Sequence, residues 1–319
     1  MFNAAIKSTL EEDISILVKV DNHPWHYLCE CGEASKLSIK EIQNCNAIFI
    51  SHAHIDHFIN FDTIIRHQIG IERKVTICGP QDIAAQVQHK LKAYTWNLIH
   101  KEALSYEVKE MISDNEIITY ELFPPLWDVK EVSRTNSNIL FADKKFEVRG
   151  TLLDHKTPTL AYKFIEYDTI SFNITKTNFQ GGKWVKELKE AFDKKLDHQI
   201  IEIEDTQYKA KDLFHLLELK KGNTLGVIMD HASSEINHKK IKTLFLNCDT
   251  VFIESFYKNE DQQFAELNYH SYAKMSGQIM KASVVKEAIP VHFSRKYKSE
   301  EIEELLQEFH EAFTNSQKQ

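Results

Sequence analysis

Short apolar segments alternate with segments of helical periodicity in the first part of the chain. Two segments rich in β-forming residues are separated by Asp21, Asn22 and Pro24, which favour a turn and so indicate a hairpin. After a third such segment, apolar residues recur at helical spacing and stop at Gly70. The elements predicted here are strands over 14–20, 26–31, 47–51 and 75–80 and helices over 59–70 and 81–98.

The pattern changes between about residues 104 and 172, where single apolar and polar residues alternate as in antiparallel strands. Strands and helices alternate again in the last third. The elements predicted here are strands over 117–122, 146–153, 160–165, 224–229, 251–255 and 288–292 and helices over 184–195, 236–246, 272–282 and 300–313. Two halves that mix strands and helices, on either side of antiparallel strands, predict an α/β fold of two sheets packed face to face with helices outside.

Composition narrows the class of protein. Apolar residues make up 42% of the 319 residues and charged residues 27%, which is typical of a globular chain and excludes disordered and fibrous classes. We therefore expect one domain over residues 1–319. The net charge of −8 argues against a surface that coats nucleic acid or an anionic membrane as a whole.

Cellular location is predicted from three sequence features. No apolar segment approaches the roughly 18 residues that span a bilayer, and the first residues lack the order of a signal peptide. The five cysteines are scattered and odd in number, which favours reduced thiols over a disulfide framework. We therefore expect a cytoplasmic protein without a membrane partner.

A histidine-rich motif, His52-Ala53-His54-Ile55-Asp56-His57, follows the third strand. In an extended segment His52 and His54 point to the same side, whereas Asp56 and His57 lie where the next helix begins. This spacing could serve two neighbouring metal ions at once. The alternative interpretation is that Asp56 caps the helix and that the histidines are polar loop residues.

A two-metal site needs further ligands, because a catalytic zinc ion takes about three protein ligands. Strand ends bring side chains to one shared edge, and polar residues that could bind metal follow several predicted strands. These candidates are His155, Asp230, His270 and His292. Asp230 follows an apolar strand and is well placed to bridge two cations. Taken singly, each histidine is more often a hydrogen-bonded polar residue, and Asp230 could be a helix cap.

Together these residues resemble the metallo-β-lactamase superfamily, and their order resembles its ribonuclease Z branch. The resemblance extends over about residues 15–297. Its motifs are Cys31-Gly32-Glu33, the histidine motif, His155 followed by Tyr162, Asp230, Tyr269-His270-Ser271 and His292-Phe293-Ser294 followed by Tyr297. The resemblance implies an αββα sandwich with a dinuclear zinc site at one edge of the sheets.

The resemblance also assigns roles to residues. It implies that one metal binds His52, His54 and His155, that the other binds Asp56, His57 and His292, and that Asp230 bridges both. Asp56 would also orient the attacking hydroxide or take its proton. His270 would not bind metal and would act near the scissile phosphate. Histidine and aspartate suit Zn²⁺, Mn²⁺ and Fe²⁺ alike, so two Zn²⁺ ions are the expectation and the other two metals stay open.

Three positions depart from the family pattern. Ile55 stands where the family usually has glycine, and His231 replaces the usual threonine after the bridging aspartate. The early basic segment of the family is absent, since residues 3–13 contain Lys7 as their one basic residue. The first departure adjoins the loop that faces the substrate. Processing of tRNA is therefore predicted less firmly than metal-dependent hydrolysis.

Two groups of basic residues could bind phosphate. Residues 168–222 fall where the family carries an arm that clamps tRNA, and the part from 174 to 195, which includes Lys183 and Lys186, has a net charge of +3. The alternative is an amphipathic surface helix with solvated lysines. Arg295 and Lys296 form a second basic group beside His292.

The sequence thus predicts a dinuclear metal-dependent phosphodiester hydrolase. Its expected substrate is a phosphodiester, with 3′-end cleavage of tRNA precursors as the most specific candidate, and the resemblance implies a homodimer. One alternative keeps the site but takes a small or cyclic nucleotide, a lactone or another ester as substrate. A second alternative, from another class, is a metal-binding protein without turnover.

Overall fold

The computed structural model describes residues 1–100 and 102–314. Its contacts divide the chain into two units. The first comprises Met1–Ile165 and the chain from Asn223 onward, and the second comprises Glu166–Gly222. The second unit is thus an insertion between two segments of the first.

The first sheet of the larger unit has eight strands in the order of the chain, from β1 to β8. Pairing is parallel from β3 to β6 and antiparallel elsewhere. The strands are β1 (Phe2–Ile6), β2 (Ile16–Val20), β3 (His26–Cys29), β4 (Cys45–Phe49), β5 (Lys74–Pro80), β6 (Ser105–Ser113), β7 (Glu116–Leu122) and β8 (Lys130–Thr135).

The second sheet has six strands in the order β18-β17-β16-β11-β10-β9. Its strands are β9 (Ile139–Ala142), β10 (Phe146–Asp154), β11 (Pro158–Glu166), β16 (Thr224–Ile228), β17 (Thr250–Glu254) and β18 (Glu287–Val291). The last three are parallel to one another. Their carboxyl ends therefore lie at the same edge of the sheet.

Three apolar cores hold these layers together. Along β2, Ile16 and Val18 join the core shared by the two sheets, whereas Leu17 joins the core between the first sheet and its helices. Along β17, Phe252 faces the shared core and Ile253 the helices of the second sheet. This alternation follows from the two-residue period of a strand that is buried on both faces.

The helices of the larger unit cover the outer faces of the sheets. They are α1 (Ile39–Gln43), α2 (Ile55–Phe58), α3 (Phe61–Gln68), α4 (Ile83–Lys92), α7 (Glu235–Phe245), α8 (Gln262–Asn268), α9 (Ala273–Ala282) and α10 (Ser299–Thr314). No helix in the described part of the chain has both the length and the apolarity needed to cross a bilayer.

The second unit has a small core of its own, built around Trp184, Leu188 and Ile201. Its elements are β12 (Thr169–Phe172), α5 (Lys183–Asp193), β13 (Ile200–Ile203), β14 (Thr206–Lys209), α6 (Ala210–Leu213) and β15 (Leu217–Lys220). β12 pairs with β15 and β13 pairs with β14, both antiparallel.

The predicted αββα layering is present, and most predicted elements agree with the structure to within a few residues. The helix predicted over 59–70 is α3, and the short helix α2 precedes it. One helix differs, because the helix predicted over 81–98 ends at Lys92. There the indole of Trp96 donates to the carbonyl oxygen of Leu91 at 2.7 Å, so a side chain satisfies a carbonyl at the helix end.

Candidate metal centre

The polar residues predicted as ligands lie at strand ends and on the loops that follow. The histidine motif follows β4, and His155 follows β10 directly. Asp230 comes shortly after β16, and His292 comes immediately after β18. Ligand sites in sheets with parallel strands form at such carboxyl ends.

A first group of ligand atoms is contributed by His52, His54, His155 and Asp230, and these atoms all lie within 4.8 Å of one another. Nε2 of His155 is 3.4 Å from Oδ2 of Asp230, and Nε2 of His52 is 3.8 Å from the same oxygen. His54 is the exposed member of the group. These four residues could enclose one cation and leave one side of it open.

A second group is contributed by Asp56, His57, Asp230 and His292, again with all ligand atoms within 4.8 Å. Nε2 of His57 is 3.5 Å from both Asp56 Oδ2 and Asp230 Oδ2. Nε2 of His292 is 2.8 Å from Oδ1 of Asp230. Asp230 belongs to both groups, so the structure brings together all seven residues that the sequence predicts as ligands.

The donor atoms fit a pair of divalent cations. Nε2 of His52 and of His57 is buried and has no hydrogen-bond partner among the described residues. A buried nitrogen in this state is costly unless another group binds it. Imidazole and carboxylate donors, in two sets that share one carboxylate, suit zinc, manganese or iron.

Hydrogen bonds orient three of the imidazole rings. Nδ1 of His57 lies 2.9 Å from the Glu30 carboxylate. Nδ1 of His155 lies 2.7 Å from the carbonyl oxygen of Tyr269, and Nδ1 of His52 lies 3.1 Å from Ser51 Oγ. With the proton on Nδ1, the lone pair of Nε2 points into the centre. Metal-binding histidines in proteins are held in this way.

Charge is balanced inside the cluster. Burial by itself would raise the pKa of the Asp230 carboxyl, but the imidazoles of His292 and His57 hold it well below its usual value. Burial and the neighbouring His57 lower the pKa of His52. The pKa of His57 is raised despite burial, because the Asp230 and Glu30 carboxylates stabilise its charged form. Asp230 therefore stays ionised and available to cations.

His270 stands beside the two groups rather than inside them. Its Nδ1 lies 3.9 Å from Oδ2 of Asp230 and is hydrogen bonded to the carboxylate of Glu254. Burial lowers the pKa of His270, but the charge of Glu254 outweighs it, and the net shift is upward. An imidazolium at this position could donate a proton.

Curated proteins and solved structures resemble the chain along nearly its whole length, and no family model matches it. Ribonuclease Z of Deinococcus radiodurans is 23% identical, covering 96% of this chain and 94% of the relative. Ribonuclease Z of Borrelia duttonii is 27% identical, covering 93% and 86%. Among solved structures, the short form of human tRNase Z has a TM-score of 0.59 at 15% identity, covering 93% of this chain and 94% of that one.

The metallo-β-lactamase fold protein YhfI of Bacillus subtilis also has a TM-score of 0.59, at 13% identity, and covers 98% of this chain and 94% of its own. The chain has the metallo-β-lactamase fold and resembles ribonuclease Z. The predicted fold and the predicted resemblance are thus confirmed, and the similarity supports the class of metal-dependent hydrolases.

Two buried carboxylates of this metallo-β-lactamase fold escaped the sequence analysis. Glu30 and Glu254 are both fully buried and both contact histidines of the site. Glu254 ends the apolar strand β17, which is the same signal that identified Asp230. Glu30 lies between Cys29 and Cys31, and an acidic residue inside an apolar segment is a usable signal.

Left-handed backbone occurs at the centre as well as elsewhere in the described part of the chain. The left-handed region, which favours glycine, is occupied by four residues of other types that belong to the site or adjoin it. They are Glu30 (φ 67°), Lys156 (φ 62°), Tyr269 (φ 61°) and His292 (φ 57°). Strain of this kind persists only where the surroundings impose it, as at ligand sites.

Most of the basic residues predicted to bind phosphate lie close to carboxylates of the protein, and the two groups differ in how they do so. Arg295 pairs with Asp13 at 2.5 Å and with Glu33 at 3.3 Å, and Lys296 pairs with Asp261 at 2.6 Å. These two cations are therefore already neutralised. Lys183 and Lys186 lie on α5 of the second unit, where Lys186 is 3.9 Å from Glu190 and largely exposed.

Proposed function

We propose that the protein is a two-metal phosphodiester hydrolase and that it cleaves RNA, with the 3′ end of tRNA precursors as its substrate. One observation carries the proposal: two groups of ligand atoms share the single carboxylate of Asp230. In enzymes that cleave phosphodiesters, two cations placed side by side stabilise both the attacking and the leaving oxygen.

The residues divide the chemistry among them. The first ion would be held by His52, His54 and His155, the second by Asp56, His57 and His292, and both by Asp230. When bound, the cations supply Lewis acidity and make hydroxide available at neutral pH. The identity of the cations is part of the proposal, and we propose two Zn²⁺.

Proton transfer falls to two side chains. Asp56 is one-third exposed at the mouth of the centre, where it can orient a water molecule and accept its proton. His270 is held in the charged form by Glu254, and it can donate its Nε2 proton to the oxygen released when the P–O bond breaks. Hydrolysis thus consumes one water molecule and leaves His270 neutral until it is protonated again.

RNA as the substrate class is supported by the relatives named ribonuclease Z and tRNase Z. In the second unit, the segment around α5 (residues 174–195) has a net positive charge of +3, whereas the rest of the unit has a net negative charge. The whole of Glu166–Gly222 carries ten lysines and eleven carboxylates, a net charge of −1. We propose that the lysines around α5, among them Lys183 and Lys186, contact phosphates of the RNA.

The decisive experiment compares a tRNA precursor with bis-p-nitrophenyl phosphate, using protein loaded with metal. We expect cleavage of both, with cleavage of the tRNA precursor falling steeply as salt rises. The double variant Lys183→Ala/Lys186→Ala should reduce cleavage of the tRNA precursor and spare the small substrate, while His54→Ala should reduce both. Turnover of the small substrate alone would overturn the proposal for RNA.

A second candidate function is the hydrolysis of a small phosphodiester or ester. A cavity of about 1130 Å³ adjoins Asp56 and His292 and is lined by apolar side chains such as Ile55, Ile59 and Pro290. The pairing of Arg295 with Asp13 leaves this cavity less suited to a polyanion. Cyclic nucleotides and lactones tested beside tRNA separate this candidate from the first. Stoichiometric metal without any turnover would instead favour a binding protein.

We also propose a homodimer, as the family resemblance implies, and a cytoplasmic location, as the sequence features predict. Analytical ultracentrifugation of the metal-loaded protein tests the oligomeric state. Cell fractionation tests the location. A monomer at micromolar concentration would contradict the first of these proposals.

A further inference from the structure

Glu30 holds an unusual position behind the metal centre. It follows β3 with a left-handed backbone (φ 67°), and its side chain has no exposed surface. Its backbone N–H donates to the carbonyl oxygen of Phe49 at 2.9 Å, which fixes the residue against the strand that leads to the histidine motif. A charged side chain in this place must be satisfied by neighbouring donors.

Three donors satisfy the Glu30 carboxylate, two from Ser51 and one from His57. Oε1 accepts from the backbone N–H of Ser51 at 3.0 Å. Oε2 accepts from the Ser51 hydroxyl at 2.9 Å and lies 2.9 Å from Nδ1 of His57. The Ser51 hydroxyl is in turn 3.1 Å from Nδ1 of His52. A continuous chain of hydrogen bonds thus joins His57, Glu30, Ser51 and His52.

The direction of each hydrogen bond follows from the count of protons. A carboxylate can only accept, so the proton shared with His57 is on Nδ1. The Ser51 hydroxyl has a single proton and donates it to Glu30, so its oxygen accepts the Nδ1 proton of His52. Both rings therefore keep the lone pair of Nε2 for the centre. His52 belongs to the first ligand group and His57 to the second.

We propose that Glu30 is a positioning residue that fixes the tautomers of His52 and His57 together, so that one buried carboxylate prepares both halves of the metal centre. The inference rests on the metal centre proposed above. Glu30 lies behind the ligands and takes no part in the reaction itself. Its effect on catalysis passes through the two imidazoles.

The isosteric variant Glu30→Gln is a sharp probe. If the amide oxygen keeps the bond to the Ser51 backbone N–H, the amide nitrogen faces the Ser51 hydroxyl and Nδ1 of His57. The Ser51 oxygen and Nδ1 of His57 must then both accept a hydrogen bond from this amide nitrogen, so the proton of His57 moves to Nε2. The Ser51 hydroxyl turns toward His52, whose proton moves to Nε2 as well. The reverse amide orientation sets two donors against each other at Ser51.

The variant Ser51→Ala distinguishes the effect on His52 from the effect on His57. It removes the acceptor of His52 but leaves the hydrogen bond between Glu30 and His57. We therefore expect one of the two ions to bind more weakly and the other to bind as in the unchanged protein. Glu33→Gln, a half-exposed carboxylate close by in the chain, is the matched control.

The test measures metal binding rather than turnover. The apo protein and each variant are titrated with Co²⁺ and Zn²⁺ in competition with a chelator. Histidine tautomers are read from ¹⁵N NMR of the metal-free protein, at a pH where the imidazoles are neutral. Glu30→Gln should weaken both ions by about 10- to 100-fold and should remove the Nδ1–H signals of His52 and His57. Ser51→Ala should weaken one ion by a similar factor.

Each outcome decides the proposal. Wild-type affinities and tautomers in Glu30→Gln would overturn it. If Glu30→Gln fails to fold, as circular dichroism of the apo form would reveal, Ser51→Ala decides, because unchanged binding of both ions in that variant overturns the proposal. Failure of the unchanged protein to bind two ions would instead contradict the metal centre itself.

Discussion

The imidazole of His270 stacks on the ring of Phe256, with centroids 3.9 Å apart and planes inclined by 7°. The hydrogen bond from Nδ1 to Glu254 fixes the rotation of the ring within this stack. His270 is therefore presented to the centre in one orientation, with Nε2 directed away from Glu254. This rigidity suits a proton donor, because proton transfer requires the donor within hydrogen-bond reach of the reacting oxygen.

His270→Ala should lower kcat by about 10²- to 10⁴-fold, the usual contribution of general acid catalysis. The bound metal should not change, because His270 lies outside both groups of four ligands. Metal content by mass spectrometry and kcat with a tRNA precursor, whose leaving oxygen is a basic alkoxide that needs a proton, check the two statements. Loss of both ions in this variant would show that His270 serves as a ligand instead.

Asp230→Ala and His54→Ala should differ in how much metal they lose. Asp230 belongs to both ligand groups, so its removal should cost both ions, whereas His54 belongs to one group and its removal should weaken one ion. Turnover should fall by about 10²-fold or more in each case, because electrostatic stabilisation of the transition state is lost. Equal loss of metal in the two variants would contradict the bridging role of Asp230.

Glu41 makes stability depend on pH in the acid range. Burial opposes ionisation, but hydrogen bonds from Lys7, Lys19 and Ser38 lower the pKa of Glu41 to about 2. A lowered folded-state pKa stabilises the protein above the unfolded value of about 4.3, and this contribution is lost as the pH falls toward 2. Glu41→Gln should remove on the order of 1–2 kcal/mol at pH 6, after allowance for solvent screening.

Urea unfolding at pH 6 and pH 3 measures this effect. The difference between the unchanged protein and Glu41→Gln should shrink at the lower pH. Glu303→Gln, on the exposed side of α10, is the control and should change neither value. A difference that is the same at both pH values would contradict the linkage.

Gly32→Ala should destabilise the fold by about 3 kcal/mol, because a Cβ atom there would lie 2.3 Å from the backbone of Asp13 and 2.6 Å from the carbonyl oxygen of Ile14. Backbone atoms cannot yield as a flexible side chain would. Gly181→Ala is the matched control, since a Cβ atom at that position meets nothing within 4 Å. Urea midpoints of the two variants should therefore separate, and equal midpoints would contradict the close approach.

Eight candidate ligand positions, His270 among them, could be predicted because their signals are local, and the family resemblance set His270 apart from the other seven. His52, His54 and His57 belong to one short motif, and Asp230 follows a strand that is apolar throughout. A strand end is visible in the sequence, and parallel strands bring their ends together. Spacing and strand pattern therefore indicate the candidate ligands, and the family resemblance implies how the two metals share them.

The residues that support the ligands could not be found in the same way. Glu30 acts through Ser51 and His57, which are brought to it by the pairing of β3 with β4 rather than by any spacing along the chain. Likewise, Arg295 meets Asp13 across the fold. The charge pattern along the chain does not show which carboxylates a cation will meet in the fold. The pairing of Arg295 and Lys296 with carboxylates therefore weakens the prediction that they contact phosphate.

The insertion of Glu166–Gly222 gives the fold a modular organisation. Its two ends join β11 and β16, which are paired neighbours with Ile165 opposite Thr224. β11 and β16 thus pair as the two strands of a hairpin would, and the insertion, which has a core of its own, takes the place of the turn between them. The length and charge of the insertion can therefore change without breaking the pairing of β11 with β16.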